Sequence, residues 1–160
     1  MYHGFMTPRL QDEIKQSRPF ERLETEAFLS VLRTSALLEH AIARALKPFD
    51  LTHTQYNALR ILRGAGEEGL CGREVGERLV SPVPDVSRLL DRLTERGLIA
   101  RRRDPEDRRQ VKATITDRGL ELLERATPAL VAVQTRWLGG VDEERLRALV
   151  DGLAEVRAGA

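Results

Sequence analysis

Residues 97–116 read GLIARRRDPEDRRQVKATIT, and in this segment the hydrophobic period changes from that of a helix to that of a strand. Apolar and polar residues alternate over 111–115, which predicts a half-buried strand. Residues 98–103 are its expected partner. The segment 104–107 is rich in residues that favour turns. The sequence therefore predicts a β-hairpin, and its tip carries Asp107, Arg108 and Arg109.

Helical patterns precede this hairpin. Thr52 is a good N-cap, and Gln55 occupies the reciprocal position of a capping box. The helix that begins there is expected to run to about Arg63, before two glycines. A short helix over 72–79 follows it, and the prolines within 81–84 then break the chain.

The next helix is predicted over 84–96. Gly97 is a natural residue to end it, because glycine adopts the left-handed conformation that a Schellman motif requires. The apolar residues share one face and are expected to anchor the helix to the domain; they are Val86, Leu89, Leu90 and Leu93. Three short helices followed by a hairpin are the plan of a winged helix-turn-helix domain, whose last helix enters the major groove of DNA.

On this interpretation the polar side chains of helix 84–96 contact DNA. Serine and arginine bind phosphates or base edges, and Asp85 is expected to accept from cytosine or to orient an arginine. The hairpin, or wing, is expected to reach the minor groove, where narrow A·T-rich DNA has enhanced negative potential. The candidate DNA-binding residues are Pro84, Asp85, Ser87, Arg88, Arg92, Arg108 and Arg109.

The charge distribution favours a nucleic-acid partner only locally. The 160 residues include 26 basic and 25 acidic residues, for a net charge of +1 at pH 7. Ten basic and six acidic residues lie within 88–118, which gives that segment a net charge of +4. Phosphate binding requires local positive charge, because each neutralised phosphate releases counterions. A merely solvated face would show the same excess.

Long helical patterns flank the predicted winged domain. Residues 21–47 and 116–138 both keep the three-four apolar spacing, with a bend or interruption expected at Pro128. A last helix is expected after Asp142, which is a good cap. Their apolar stripes exceed what the small winged core can cover, which indicates an interface between two chains. An intramolecular three-helix layer is the alternative.

The predicted fold class is therefore mainly α, with a small two- or three-stranded antiparallel wing and long terminal dimerisation helices. The predicted organisation is a flexible N-terminal segment over 1–20, a winged helix-turn-helix DNA-binding domain over 51–116, and a helical dimerisation region formed by 21–50 and 117–160.

Other functional classes find little support. The single cysteine, Cys71, excludes an intramolecular disulfide and a cysteine-based metal cage, and it is expected to be inert. The three histidines have no metal-ligand spacing, and no phosphate-binding glycine loop or nucleophile motif is present. We therefore expect no cofactor, no metal and no catalysis. No apolar run is long enough to cross a bilayer and no secretory signal is evident, so we expect a cytoplasmic protein without a membrane partner.

Several of these segments together resemble MarR-type regulators. Residues 97–119 are similar to the wing signature of that family, 86–93 (VSRLLDRL) to its recognition helix, and 51–56 to the start of its second helix. The resemblance implies a homodimeric DNA-binding repressor, or in some members an activator, whose winged domains each bind one half-site of a palindrome. It further implies that small-molecule effectors often bind such proteins and can release them from DNA. It also implies that Arg109 enters the minor groove beside Arg108, while Ser87 and Arg88 face the major groove.

Two alternatives stay open at this point. A winged-helix module that binds another protein, without reading DNA, predicts no dependence on Arg88, Arg108 or Arg109. A small-molecule carrier or enzyme that uses the same scaffold would be favoured by a turnover that is insensitive to DNA. The sequence does not locate an effector pocket, and it identifies neither the operator nor the regulated genes.

Overall fold

The computed structural model describes residues 9–104, 107 and 109–159. The chain divides into two compact units, of which the first ends at Ala41 and the second begins at Ile42. The described part is mainly helical, with a small antiparallel sheet of three strands, and this confirms the predicted fold class.

The first unit contains a short helix and most of a long one. Helix α1 spans Leu10–Glu13 and buries Leu10, inside the segment for which flexibility was predicted. Helix α2 spans Leu23–Leu46, close to the predicted range. It ends where Lys47–Phe49 form a 3₁₀ turn, because Pro48 has no backbone N–H with which to continue an α-helix.

The next helices of the chain are α3 (His53–Ala65), α4 (Gly72–Arg78) and α5 (Val86–Glu95). The capping box predicted at the start of α3 is confirmed. The hydroxyl of Thr52 accepts the N–H of Gln55 at 3.2 Å, and the side-chain oxygen of Gln55 accepts the N–H of Thr52 at 3.0 Å. Two N–H groups that the helix itself leaves unpaired are thereby satisfied.

Helix α5 begins later than predicted. Pro84 lies outside it, and Asp85 is the N-cap, because Asp85 Oδ1 accepts the N–H of Arg88 at 2.8 Å. A side-chain acceptor at the N-cap satisfies one of the unpaired N–H groups of the first turn. If the helix began at Pro84, Asp85 would not be the N-cap and could not supply this acceptor. The predicted start at residue 84 is therefore wrong, while the remainder of the helix is confirmed.

The end of α5 is the predicted Schellman motif. Gly97 has a φ of 67°, in the left-handed region that disfavours residues with a side chain. Its N–H donates to the carbonyl of Thr94 at 2.8 Å, and the N–H of Leu98 donates to the carbonyl of Leu93 at 3.0 Å. The chain is thereby turned so that Leu98 is buried in the core.

The sheet comprises β1 (Leu70–Cys71), β2 (Ile99–Arg103) and β3 (Val111–Ile115), in the spatial order β1-β3-β2. The ladder between β2 and β3 runs from the pair Ile99 and Ile115 to the pair Arg103 and Val111, which confirms the hairpin. Strand β1 adds the third strand beside β3. Two residues are too few to show an alternating pattern, so the sequence did not indicate β1 as a strand in the connection between α3 and α4.

The last two helices are α6 (Asp117–Leu138) and α7 (Glu143–Ala158). Helix α6 continues through Pro128, so no interruption occurs there. Its first turn packs directly on the start of the wing, since a Cβ on Gly119 would lie 2.1 Å from the carbonyl oxygen of Leu98. Only glycine permits this approach.

The core of the second unit is almost entirely aliphatic, in keeping with an aromatic content of 4%. Its most deeply buried large side chains are Leu46, Leu59, Leu62, Val75, Leu93, Leu98 and Leu123. In the described part of the chain, no helix has the length and hydrophobicity that crossing a bilayer requires.

Candidate nucleic-acid interface

The polar side of α5 is open to solvent. Ser87, Arg88 and Arg92 are exposed, while Leu90 and Leu93 on the other side are buried in the core. The apolar side thus fixes the helix to the domain, as its sequence pattern predicted. The side chains that remain on the open side are types that bind phosphates and base edges.

The predicted residues near α5 divide between two grooves. Pro84, Asp85, Arg88 and Arg92 line a groove of about 350 Å³ together with residues at the start of α3. Ser87 lines a larger groove of about 750 Å³, bordered by α4 and the sheet. The structure therefore brings four of the predicted residues together and places Ser87 beside the wing.

Asp85 already has a structural partner. Its Oδ1 caps α5, and its other carboxylate oxygen has no part in the cap and can accept a hydrogen bond from cytosine or an arginine. The sequence did not predict this cap, although aspartate is among the residues most favoured at N-caps.

The two arginines of α5 have unused donors. Neither guanidinium, of Arg88 or of Arg92, forms an ion pair or hydrogen bond with any residue that the structure describes. They are four residues apart on one helix and therefore lie on the same face. Each guanidinium carries five N–H donors, which can bind a phosphate or the acceptor edge of a guanine.

The tip of the wing presents Arg109. Its side chain is 96% exposed, with Nε 3.8 Å from Asp107 Oδ1, and its backbone N–H donates to the same oxygen at 3.1 Å. Asp107 therefore orients the residue while leaving its guanidinium in solvent. Arg108, the other predicted wing residue, lies outside the residues that the structure describes.

An ion pair between the buried Asp104 and the half-buried Lys112 supports the base of this tip. Asp104 is only 7% exposed, and its Oδ2 lies 2.6 Å from Lys112 Nζ. Its Oδ1 accepts the N–H of Asp107 at 3.4 Å, which links the pair to the residue that orients Arg109. The hydrogen bond to Asp104 raises the pKa of the Lys112 ammonium above its ordinary value. The sequence predicted only a turn here.

Arginines also tie α5 to its surroundings. Arg101 of β2 donates through Nη1 to Asp91 Oδ1 at 2.6 Å and through Nη2 to the carbonyl of Ser87 at 3.2 Å. Arg96 donates through Nη1 to the carbonyl of Asp50 at 2.6 Å. The sequence did not predict either set of hydrogen bonds, because each joins residues of different elements and no periodic pattern relates those residues.

Cys71 caps α4. Its N–H donates to Glu74 Oε2 at 2.8 Å, and this backbone hydrogen bond, followed by one from the thiol, holds the pKa of the Glu74 carboxyl below its ordinary value. The cysteine thus has a local structural role. Over the described ranges, no group of His, Cys, Asp and Glu residues has the arrangement of a metal site.

Known proteins share this arrangement. A sequence model of the MarR family matches residues 49–110, from the segment before α3 to the wing. The chain is also 36% identical to a MarR transcription factor from Planctomyces limnophilus, whose crystal structure aligns with a TM-score of 0.66 over 86% of this chain and 99% of that chain. The chain belongs to the MarR family. It is therefore a DNA-binding regulator of transcription, as its resemblance to MarR-type proteins predicted.

Two further similar proteins extend the comparison. YkoM of Bacillus subtilis, an uncharacterized HTH-type transcriptional regulator, is 28% identical over 140 residues, which cover 88% of this chain and 85% of YkoM. CouR from Rhodococcus jostii RHA1, solved with bound p-coumaroyl-CoA, is 27% identical, with a TM-score of 0.70 over 86% of this chain and 95% of that chain. The MarR family and the homologues that are named as regulators are transcription regulators and not enzymes. Membership of the MarR family favours DNA binding over the alternative of a protein–protein module.

Proposed function

We propose that this MarR-family protein is a cytoplasmic repressor that binds a palindromic operator as a homodimer and is released by a small-molecule effector. In each half-site, α5 occupies the major groove, where Ser87, Arg88 and Arg92 bind base edges or phosphates. The wing reaches the adjacent minor groove with Arg109 and Arg108. Pro84 and Asp85 lie at the edge of the major-groove contact.

The observation that carries this proposal is the free polar face of α5. The major groove is about 12 Å wide and admits one α-helix. Helix α5 is anchored by buried leucines and presents Arg88 and Arg92 without competing ion pairs among the described residues. Arginines that bound carboxylates of the same chain would first have to break those contacts. The exposed Arg109 adds a third cation in the same compact unit.

Exposed apolar residues on the terminal helices support the homodimer. On α7, Leu149, Val150 and Val156 are exposed, the last of them at 69%. On α2, Phe28 is 64% exposed and Leu23 is also open to solvent. Apolar faces of this kind mark interfaces more often than free surface. A two-fold dimer would present two equivalent α5 helices, which suits an operator with two inverted half-sites.

The effector proposal rests on the family. CouR binds p-coumaroyl-CoA, and this supports a small-molecule effector for the present protein as well. Such a molecule would act by preferring a dimer in which the two α5 helices no longer match the half-site spacing. The loss of DNA affinity then equals the difference between the affinities of the effector for the two states of the dimer.

Selection from random duplex DNA with the purified full-length chain, at near-physiological salt, tests this proposal. We expect enrichment of an inverted repeat whose half-sites lie about one helical turn apart. An enriched sequence without two-fold symmetry would overturn the dimer and the palindrome. No enrichment by a folded dimer would overturn sequence-specific binding by the protein alone, and would favour the protein–protein module.

A further inference from the structure

The contact between the wing and α5 is made by one side chain with two separate anchors. The Nη1 of Arg101 lies 2.6 Å from Asp91 Oδ1, and Nη2 lies 3.2 Å from the carbonyl oxygen of Ser87. Ser87 and Asp91 are one turn apart on the helix, so the guanidinium spans one turn of α5. Because the guanidinium is planar, bonds from two of its nitrogens fix its direction as well as its distance.

Arg101 is well placed to control the tip of the wing. It pairs with Ala113 at the centre of the five-residue ladder between β2 and β3, while Arg109 lies beyond the end of that ladder. Three residues of strand span about 10 Å, so a rotation of about 10° at Arg101 moves the tip by about 2 Å. Binding groups generally tolerate displacements of only about 0.5 Å.

The energetic contribution of this contact to folding is small. Asp91 is more than half exposed, and ion pairs in contact with solvent contribute little to stability. The winged domain has a separate hydrophobic core, to which Leu90, Leu93 and Ile99 contribute from α5 and β2 themselves. The main effect of the Arg101 contact is therefore to fix the position of the wing relative to α5.

We propose that Arg101 is a positioning residue, which fixes the wing against α5 through Asp91 and the carbonyl of Ser87 so that one duplex meets both elements in register. The proposal rests on the proposed function, because it assigns α5 to the major groove and Arg109 to the minor groove. It makes the contribution of Arg109 to DNA binding dependent on an arginine that need not touch DNA.

A double-mutant cycle on the selected duplex tests the proposal. Arg109→Ala is expected to weaken binding by the wild type about tenfold, and by the Arg101→Met variant less than about threefold. Arg101→Lys, which keeps the ion pair with Asp91, should restore part of the dependence on Arg109. The control is Arg125→Met, which removes an exposed arginine of α6 and should leave the Arg109 effect unchanged. An equal Arg109 effect in the Arg101→Met and wild-type backgrounds would overturn the proposal.

Footprinting separates positioning from a general loss of affinity. At saturating Arg101→Met protein, guanine N7 protection from dimethyl sulfate in the major groove should persist, while hydroxyl-radical protection of the minor groove at the wing should disappear. If both protections persist, or both are lost together, Arg101 does not act by positioning the wing. Asp91→Ala, which removes one of the two anchors and leaves Arg101 in place, should give the same separation in a weaker form, and it tests the proposal even if Arg101→Met folds poorly.

A measurement on the free protein distinguishes failure of this inference from failure of the proposed function. In ¹⁵N relaxation experiments without DNA, Arg101→Met is expected to add microsecond-to-millisecond exchange to amides of β2 and β3, and none to α3. Unchanged relaxation in the strands would overturn the positioning role whatever the operator. If the wild type selects no duplex but the strands become mobile in the variant, the proposed function fails, while the fixing of the wing against α5 by Arg101 stands.

Discussion

The winged region and the terminal helices differ in how far their large apolar side chains are buried. In the winged region, large side chains such as Leu59, Leu62 and Leu93 are completely buried by the chain itself. On α2 and α7, residues of the same kind, among them Phe28 and Val156, remain exposed in the single chain. The winged region thus has a core of its own, while apolar residues of the terminal helices stay exposed in the single chain, where the proposed dimer would cover them.

The largest expected effect comes from placing charge on the apolar face of α7. The double variant Val150→Glu and Val156→Glu should abolish the dimer, because two carboxylates would be buried in its interface. Operator affinity should then fall by about 10²–10⁴-fold, since the second half-site is no longer bound at high effective concentration. Sedimentation and a binding isotherm measure both losses.

Ala148→Glu is the matched control for this variant. Residue 148 lies away from the apolar stripe of α7 by helical spacing and is exposed, so a carboxylate should be tolerated there without loss of the dimer. If the double variant stays dimeric, the apolar face of α7 is not the interface.

The second prediction compares a leucine of the winged core with an apolar residue of α2. Leu93→Ala should lower the free energy of unfolding by about 2–5 kcal/mol, because it leaves a cavity in a closed core. Phe28→Ala should have little effect on the unfolding of dilute monomer but should weaken the dimer. Denaturant titrations at several protein concentrations separate these effects. Equal, concentration-independent losses for the two variants would contradict the comparison.

The wing provides the third prediction. Arg109→Ala should weaken operator binding by about 1–3 kcal/mol and reduce the salt slope by about one unit, since one phosphate-neutralising cation is lost. Arg125→Ala removes the same charge from α6 and should change neither quantity appreciably. Fluorescence titrations at a series of salt concentrations give both values. If the Arg109 variant has the salt slope and the affinity of the wild type, the wing is not part of the DNA interface.

The smallest expected effect concerns the ion pair at the base of the wing. Asp104 raises the pKa of Lys112, so the stability that the pair contributes is fully present below the ordinary value of 10.5 and is lost as the pH rises through the higher folded value. The wild type should therefore be more stable than Lys112→Met at pH 8, and the two should converge well above pH 10.5. A stability difference that stays constant over this range would show that Lys112 acts by packing alone.

Local signals made much of the fold predictable. The capping box of Thr52 and Gln55, and the Schellman end at Gly97, depend on residues a few positions apart, and both formed as predicted. The start of α5 was misjudged because Pro84 suits a first helical turn, whereas the capping bond from Asp85 determines where that turn begins.

The candidate site was predictable only in part, for a physical reason. The exposed face of α5 follows from helical periodicity, which a sequence displays directly. The ion pair of Asp104 and Lys112 and the contact of Arg101 with α5 depend on strand register and on the packing of one element against another. The chain contains many oppositely charged residues that could form ion pairs, and only the folded structure determines which of them come into contact.

Native mass spectrometry of the full-length chain, with duplexes that contain one or two selected half-sites, tests whether the protein binds its operator as a dimer. We expect a dimer in the absence of DNA, one dimer on the duplex with two half-sites, and much weaker binding to the duplex with one. A monomer that binds a single half-site as tightly as the full operator would contradict this expectation.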